Sequence, residues 1–134
     1  MGVQSEFFDA VFFDMDGLMV DSEPEWFKSE TEVTARFGYN WTEEDQVHCL
    51  GGPLTRVGQY MHDKCDGAQT PEYFTQALID TQALKMRGYT PTMPGAIELV
   101  RELQAHGIKT GLVSASPRNI VNAVLDNLGH DLFP

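Results

Sequence analysis

Two cysteines, Cys49 and Cys65, are too few for a disulfide framework. Basic residues are scarce as well. Nine of them against twenty acidic ones leave a formal net charge of -11, so a nucleic acid would meet a repelling field instead of the basic patch it needs. The apolar runs are far shorter than a bilayer crossing requires, and no membrane partner is expected. At the N-terminus the basic start and long apolar core of a secretory signal are missing, which makes a reducing cytoplasm the expected compartment. Met1-Gly2 opens like a myristoylation site, but Glu6 stands where that pattern wants Ser or Thr. Repeats and low-complexity tracts are absent too. What the chain does have is 42% hydrophobic and 10% aromatic residues, enough apolar surface to offset the entropy of ordering.

Strand signals are sparse. Ala10-Val11-Phe12-Phe13 is a short, continuous apolar run and predicts a strand buried on both faces, and the next such run lies at 108–114. The stretch between them is punctuated like helices. Pro24 suits the first turn of a helix over 24–37 with Gly38 as its stop, and Thr42 with Asp45 makes a capping box for a short second helix that Gly51-Gly52-Pro53 breaks. A third helix is predicted over 54–64, and a fourth over 71–87 with Thr70 as cap. Pro94 then opens a helix carrying Ile97, Val100 and Leu103 on one face, and Ser116 caps a last one begun by Pro117. The expected architecture is α/β: a core strand and loop in residues 1–20, a four-helix insertion in 21–88, and a helix-strand-helix return to the core in 89–134.

Asp14 ends the first strand and Asp16 follows two positions later. In an open parallel sheet, functional groups gather beyond the carboxyl ends of the strands, where both this pair and Ser114-Ala115-Ser116 are expected. Neighbouring carboxylates repel unless a cation neutralises them, and hard oxygen donors suit Mg2+, with Asp14 and Asp16 as its ligands. One carboxylate can attack phosphorus while the other carries a proton. Ser114 and the amide of Ala115, at a helix start, would hold phosphate oxygens. Glu23, Arg56 and Asn119 are weaker candidates for contacting the rest of a substrate, since exposed helix faces explain them equally well. His48, Cys49, His62 and Cys65 fit no compact zinc spacing, and Trp26, Phe27 and Phe37 fall on helical spacing and read as core.

The stretch Asp14-Met15-Asp16-Gly17-Leu18-Met19-Val20-Asp21-Ser22 resembles the first motif of the haloacid dehalogenase-like superfamily of phosphohydrolases, and Gly111-Leu112-Val113-Ser114-Ala115-Ser116 resembles its second. The helical insertion and the stretch 93–103 resemble the branch containing β-phosphoglucomutase and small sugar-phosphate phosphatases. The resemblance implies a Rossmann-like core, a four-helix cap and Mg2+ dependence. It also implies Asp14 as a nucleophile forming an aspartyl-phosphate, Asp16 as general acid/base, and a small phosphorylated metabolite as substrate. Dehalogenases of the superfamily lack the second Asp, so Asp16 argues for phosphoryl transfer. Trp26 stands where mutases usually carry His, which puts a phosphatase ahead of a β-phosphoglucomutase-like phosphotransferase. A third motif with Lys and a fourth with acidic ligands, both implied by the resemblance, do not occur in these 134 residues. The expectation is thus a chain truncated before those motifs and inactive alone, with its own C-terminal segment as a partner. The alternative is a non-catalytic fragment that pairs with that half.

Overall fold

The apolar run after position 9 pairs in parallel with the stretch 109–113, five residues against five. In the computed structural model, which describes residues 9–134, the elements in chain order are β1 (Ala10–Asp14), α1 (Glu23–Ala35), α2 (Glu43–Cys49), α3 (Leu54–Lys64), α4 (Pro71–Gly88), α5 (Ala96–Ala105), β2 (Lys109–Val113), α6 (Arg118–Leu128) and a 3-10 turn His130–Leu132. They divide into two units. One combines the chain up to Ser22 with Met86–Pro134, and the other is Glu23–Lys85.

In the first unit the register runs from Ala10 opposite Lys109 to Asp14 opposite Val113. Side chains alternate between the faces of a strand, and here one face is covered and the other open. Phe13 packs its ring against Phe133, and Thr110 is buried with its hydroxyl donating to the Leu132 carbonyl. On the opposite face Phe12 is 70% exposed and Val113 58%. This corrects the expectation of a strand buried on both faces. Burial of that kind needs packed elements above and below the sheet, and here the Phe12 ring lies against Gly111, where a Cβ would come within 2.7 Å of it, and stays open to solvent.

Val100 and Leu103 of α5 are buried, as their helical spacing indicated, and so are Ile120, Ala123 and Val124 of α6. Two helix starts in this unit differ from the sequence reading. α5 begins at Ala96 and not at Pro94, because Gly95 adopts a φ of 80°, outside the helical region. Pro117, not Ser116, occupies the N-cap of α6, and no side chain caps that helix.

The helical unit closes on Val33, Val57, Met61, Phe74 and Leu78, with Trp26, Phe27 and Phe37 packed against them. α1 stops at Ala35, two residues short of the expected end. The Thr34 carbonyl there accepts the amides of both Phe37 and Tyr39, tightening the chain into a turn. The Thr42–Asp45 capping box forms as expected, and Thr70 accepts the amide of Tyr73 at 3.1 Å.

Two buried acids in this unit behave oppositely. Burial pushes Asp45 up, but hydrogen bonds from Tyr60, the Thr42 amide, Tyr39 and the Thr42 hydroxyl outweigh it and hold the carboxyl below its usual range. Glu30 is 6% exposed and accepts one such bond, from the Trp41 indole at 3.2 Å. Burial therefore wins and pushes its pKa up to about 7.

Helices α3 and α4 meet at Gly58, where a Cβ would lie 1.9 Å from the Thr75 hydroxyl oxygen and 2.6 Å from the Pro71 carbonyl. Gly58→Ala is expected to lower stability by roughly 1–3 kcal/mol in urea melts through overpacking, although Ala favours an isolated helix by about 1 kcal/mol. A stabilised variant would show that the two helices have room to part.

Between its ordinary value of 4.5 and about 7, folded Glu30 keeps a proton that the unfolded chain has lost. Stability accordingly falls as pH rises through that window, and the full penalty is present above it. Glu30→Gln removes the slope. Relative to wild type, the variant should gain on the order of 3 kcal/mol between about pH 5 and about pH 8. A difference independent of pH in paired melts would contradict this.

Candidate active site

Because the ladder sets Asp14 opposite Val113, the chain leaves both strands at the same edge of the sheet. Asp14 is exposed, and its Oδ1 accepts the amide of Met15 at 2.8 Å. The next residues form a tight turn. The Met15 carbonyl accepts the amides of Leu18, Met19 and Val20 at 3.3, 3.0 and 3.0 Å, and Gly17, at a φ of 80°, donates its amide to the Val20 carbonyl at 2.8 Å. That turn is tied to the chain returning from α4. Asp21 donates its amide to the Pro91 carbonyl at 2.9 Å, and Met93 donates to the Met19 carbonyl at 3.0 Å.

Asp16 is the junction of the site. Its Oδ1 accepts the Ser22 hydroxyl at 2.7 Å, and its Oδ2 accepts the Ser116 hydroxyl at 2.6 Å from 100 positions along the chain. Both are short, charge-assisted bonds. Ser116 in turn donates its amide to the Ser114 hydroxyl oxygen at 3.0 Å. One carboxylate thus fastens the turn after β1, the residue preceding α1 and the loop after β2.

The structure therefore brings Asp14, Asp16, Ser114 and Ala115 to one edge. Asn119 lies in the first turn of the same loop's helix, where its Oδ1 accepts the amide of Ile120 at 3.0 Å. Glu23 and Arg56 belong to the helical unit. Glu23 begins α1 and lends its carbonyl to the Gln46 side chain at 3.3 Å, while the Arg56 guanidinium lies over Gly52 and donates to the His48 carbonyl at 3.3 Å. The sequence placed Ser116 at the polar strand end but gave it the role of a helix cap, and it gave Ser22 no role of its own. Ser22 sits within the first motif and could have been suspected. Nothing local marks Ser116 as other than a cap, because its partner is distant in sequence.

Asp14 and Asp16 offer two hard carboxylate donors at this edge. Among the described residues no three His, Cys, Asp or Glu side chains gather to hold a metal. Cys49 and Cys65 are buried free thiols, and burial pushes both up, Cys49 to about 11 with Glu30 contributing, so they stay protonated. The imidazole of His62 faces the Gln69 carbonyl at 2.7 Å, and that of His48 stacks on Tyr60 at 4.6 Å. No helix among the described residues is long and apolar enough to cross a membrane.

The chain that carries these residues is similar to known proteins. Hexitol phosphatase B of Escherichia coli strain K12 is 31% identical over 119 residues, covering 87% of this chain and 53% of that protein. Among solved structures, CbbY of Rhodobacter sphaeroides in complex with phosphate matches with a TM-score of 0.78 at 22% identity, over 94% of this chain and 61% of that one. The β-phosphoglucomutase of Clostridium difficile matches with a TM-score of 0.75 at 19% identity, over 94% and 59%. At such identities the likeness concerns the fold, and it makes the two-stranded unit part of a Rossmann-like core. The chain spans about half the length of the curated relatives it matches. The family model described as haloacid dehalogenase-like hydrolase matches residues 11–134, from β1 onward, and the chain belongs to that family.

Proposed function

We propose that the protein carrying this chain is a phosphatase of small phosphate monoesters, sugar phosphates foremost, working through an aspartyl-phosphate on Asp14. The junction at Asp16 carries this reading: it joins an exposed carboxylate to the loop that precedes α6. The likeness to hexitol phosphatase B supports the substrate class. A carboxylate oxygen of Asp14 attacks phosphorus, and the bond from phosphorus to the ester oxygen breaks. Asp16 gives its proton to the departing alkoxide. Water then attacks the same phosphorus and Asp16 takes its proton, releasing inorganic phosphate and restoring Asp14. Ser114 and the amide of Ala115 hold non-bridging oxygens at the start of α6.

A divalent cation fits this donor set, since Mg2+ is commonly held by one or two carboxylates together with phosphate and water. Asp14 would hold it through its carboxylate and the chain at Asp16 through a main-chain carbonyl, while the Asp16 carboxyl carries the proton. When bound it would supply charge neutralisation for the phosphoryl oxygens. In this reading the helical unit serves as the cap domain, with Glu23 and Arg56 as weaker substrate contacts and Asn119 as another in the core.

Phosphate release by the full-length gene product from a panel of hexitol and sugar phosphates tests the reading. Activity should require a divalent cation and fall by about a thousandfold or more in Asp14→Asn. Turnover that survives this substitution would contradict the assignment.

A further inference from the structure

We propose that the groove where Arg36, just past α1, meets α4 binds a small monocarboxylate with an apolar body. This groove has a volume of about 300 Å3, at the small end of the range for ligand sites. Its lining comes from the helical unit alone and shares no residue with the edge of the sheet. One wall is a stripe of α4 at helical spacing, running from Tyr73 through Ala77 and Thr81 to Leu84. Leu84 is 66% exposed, and the Tyr73 ring is fixed edge-on against Phe37 at 5.8 Å and Phe74 at 5.6 Å. The wall thus offers a held aromatic surface and an open aliphatic one.

Arg36 supplies the charge. Elsewhere in the helical unit Lys28 pairs with Glu25 and Lys85 with Glu32, Arg56 donates to the His48 carbonyl, and Lys64 lies over the Tyr60 ring. Among the described residues Arg36 makes no ion pair, and its bond to the Thr81 hydroxyl, at 3.5 Å, is too long to be strong. A planar guanidinium in this state can take a carboxylate through two parallel bonds. The rest of the lining disfavours a phosphate. Thr81 spends its hydroxyl proton on the Ala77 carbonyl at 2.7 Å, and Gln76 donates its side-chain amide to Asp80 at 2.9 Å. Few donors are left for further anion oxygens, and the Asp80 carboxylate in the same lining repels a second negative charge. One carboxylate on Arg36, with an apolar body laid along Tyr73, Ala77 and Leu84, satisfies both halves of the groove.

Titration of the 15N-labelled full-length protein with phenylacetate, its uncharged amide phenylacetamide and inorganic phosphate tests this. Phenylacetate should shift the amides of residues 36, 77, 81 and 84 along one saturating curve. Arg36→Gln, a change at an exposed position, should weaken it about tenfold or more, the size expected for lost bonds to a charged group. Leu84→Ala keeps the guanidinium and should weaken it severalfold through lost apolar contact. Phenylacetamide should bind at least about tenfold more weakly than the acid. Absence of shifts at these amides overturns the proposal. Equal binding of acid and amide, or phenylacetate binding that ignores Arg36→Gln, would make the groove merely apolar and overturn it too. Phosphate binding there more tightly than phenylacetate would overturn the ligand class.

Discussion

Five parallel pairs, ending with Asp14 beside Val113, are the constraint on which the site depends. They send the chain out of both strands at one edge, so the residues after position 14 and after position 113 meet although they are far apart in sequence. The Ser116–Asp16 bond could not achieve this alone. Closing a separation of 100 residues costs about 4 kcal/mol on loop-entropy scaling, and one charge-assisted bond returns about 1.5–3 kcal/mol. The ladder and the buried faces of α5 and α6 must therefore bring the loops together first. The two hydroxyls then fix a carboxylate that has already been delivered. This hierarchy separates assembly from adjustment: burial and backbone pairing make the edge, and the serines set the geometry of its second acid.

The helical unit obeys the same rule, that a buried charge is tolerated in proportion to the donors it finds. Asp45 receives two tyrosine hydroxyls in addition to its capping partner, and it stays ionised despite being 4% exposed. Among the described residues Glu30 finds the Trp41 indole alone, and it holds its proton to near neutrality. Asp is a weaker reciprocal partner than Glu in a capping box, yet here its short side chain is also within reach of Tyr39 and Tyr60. A local helix signal and a tertiary network share one residue.

Features written in local chemistry were legible in the sequence. α3 follows its punctuation at both ends, Thr42 and Thr70 cap as their positions indicate, and Asp14 falls at the strand end where the apolar run stops. Features set by partners were not. The exposure of Phe12 depends on what lies above the sheet, which no pattern within residues 10–13 encodes. The start of α5 turned on whether Gly95 or Pro94 governs the turn, and the left-handed backbone of Gly95 decided it. Ser116 before Pro117 carries the local signature of a cap, and only the fold reveals that Asp16 outbids the helix for its hydroxyl. The acid pair was visible because it is contiguous, whereas the serines that hold it had to be seen in three dimensions.

The central claim is that the loops after β1 and β2 form one phosphate-handling site. Titrating the 15N-labelled full-length protein with inorganic phosphate in the presence of Mg2+, and following the amides of residues 15–18 and 114–116, tests it most directly. Both sets should shift together along a single binding curve. Shifts confined to one loop, or two curves with unrelated midpoints, would contradict it.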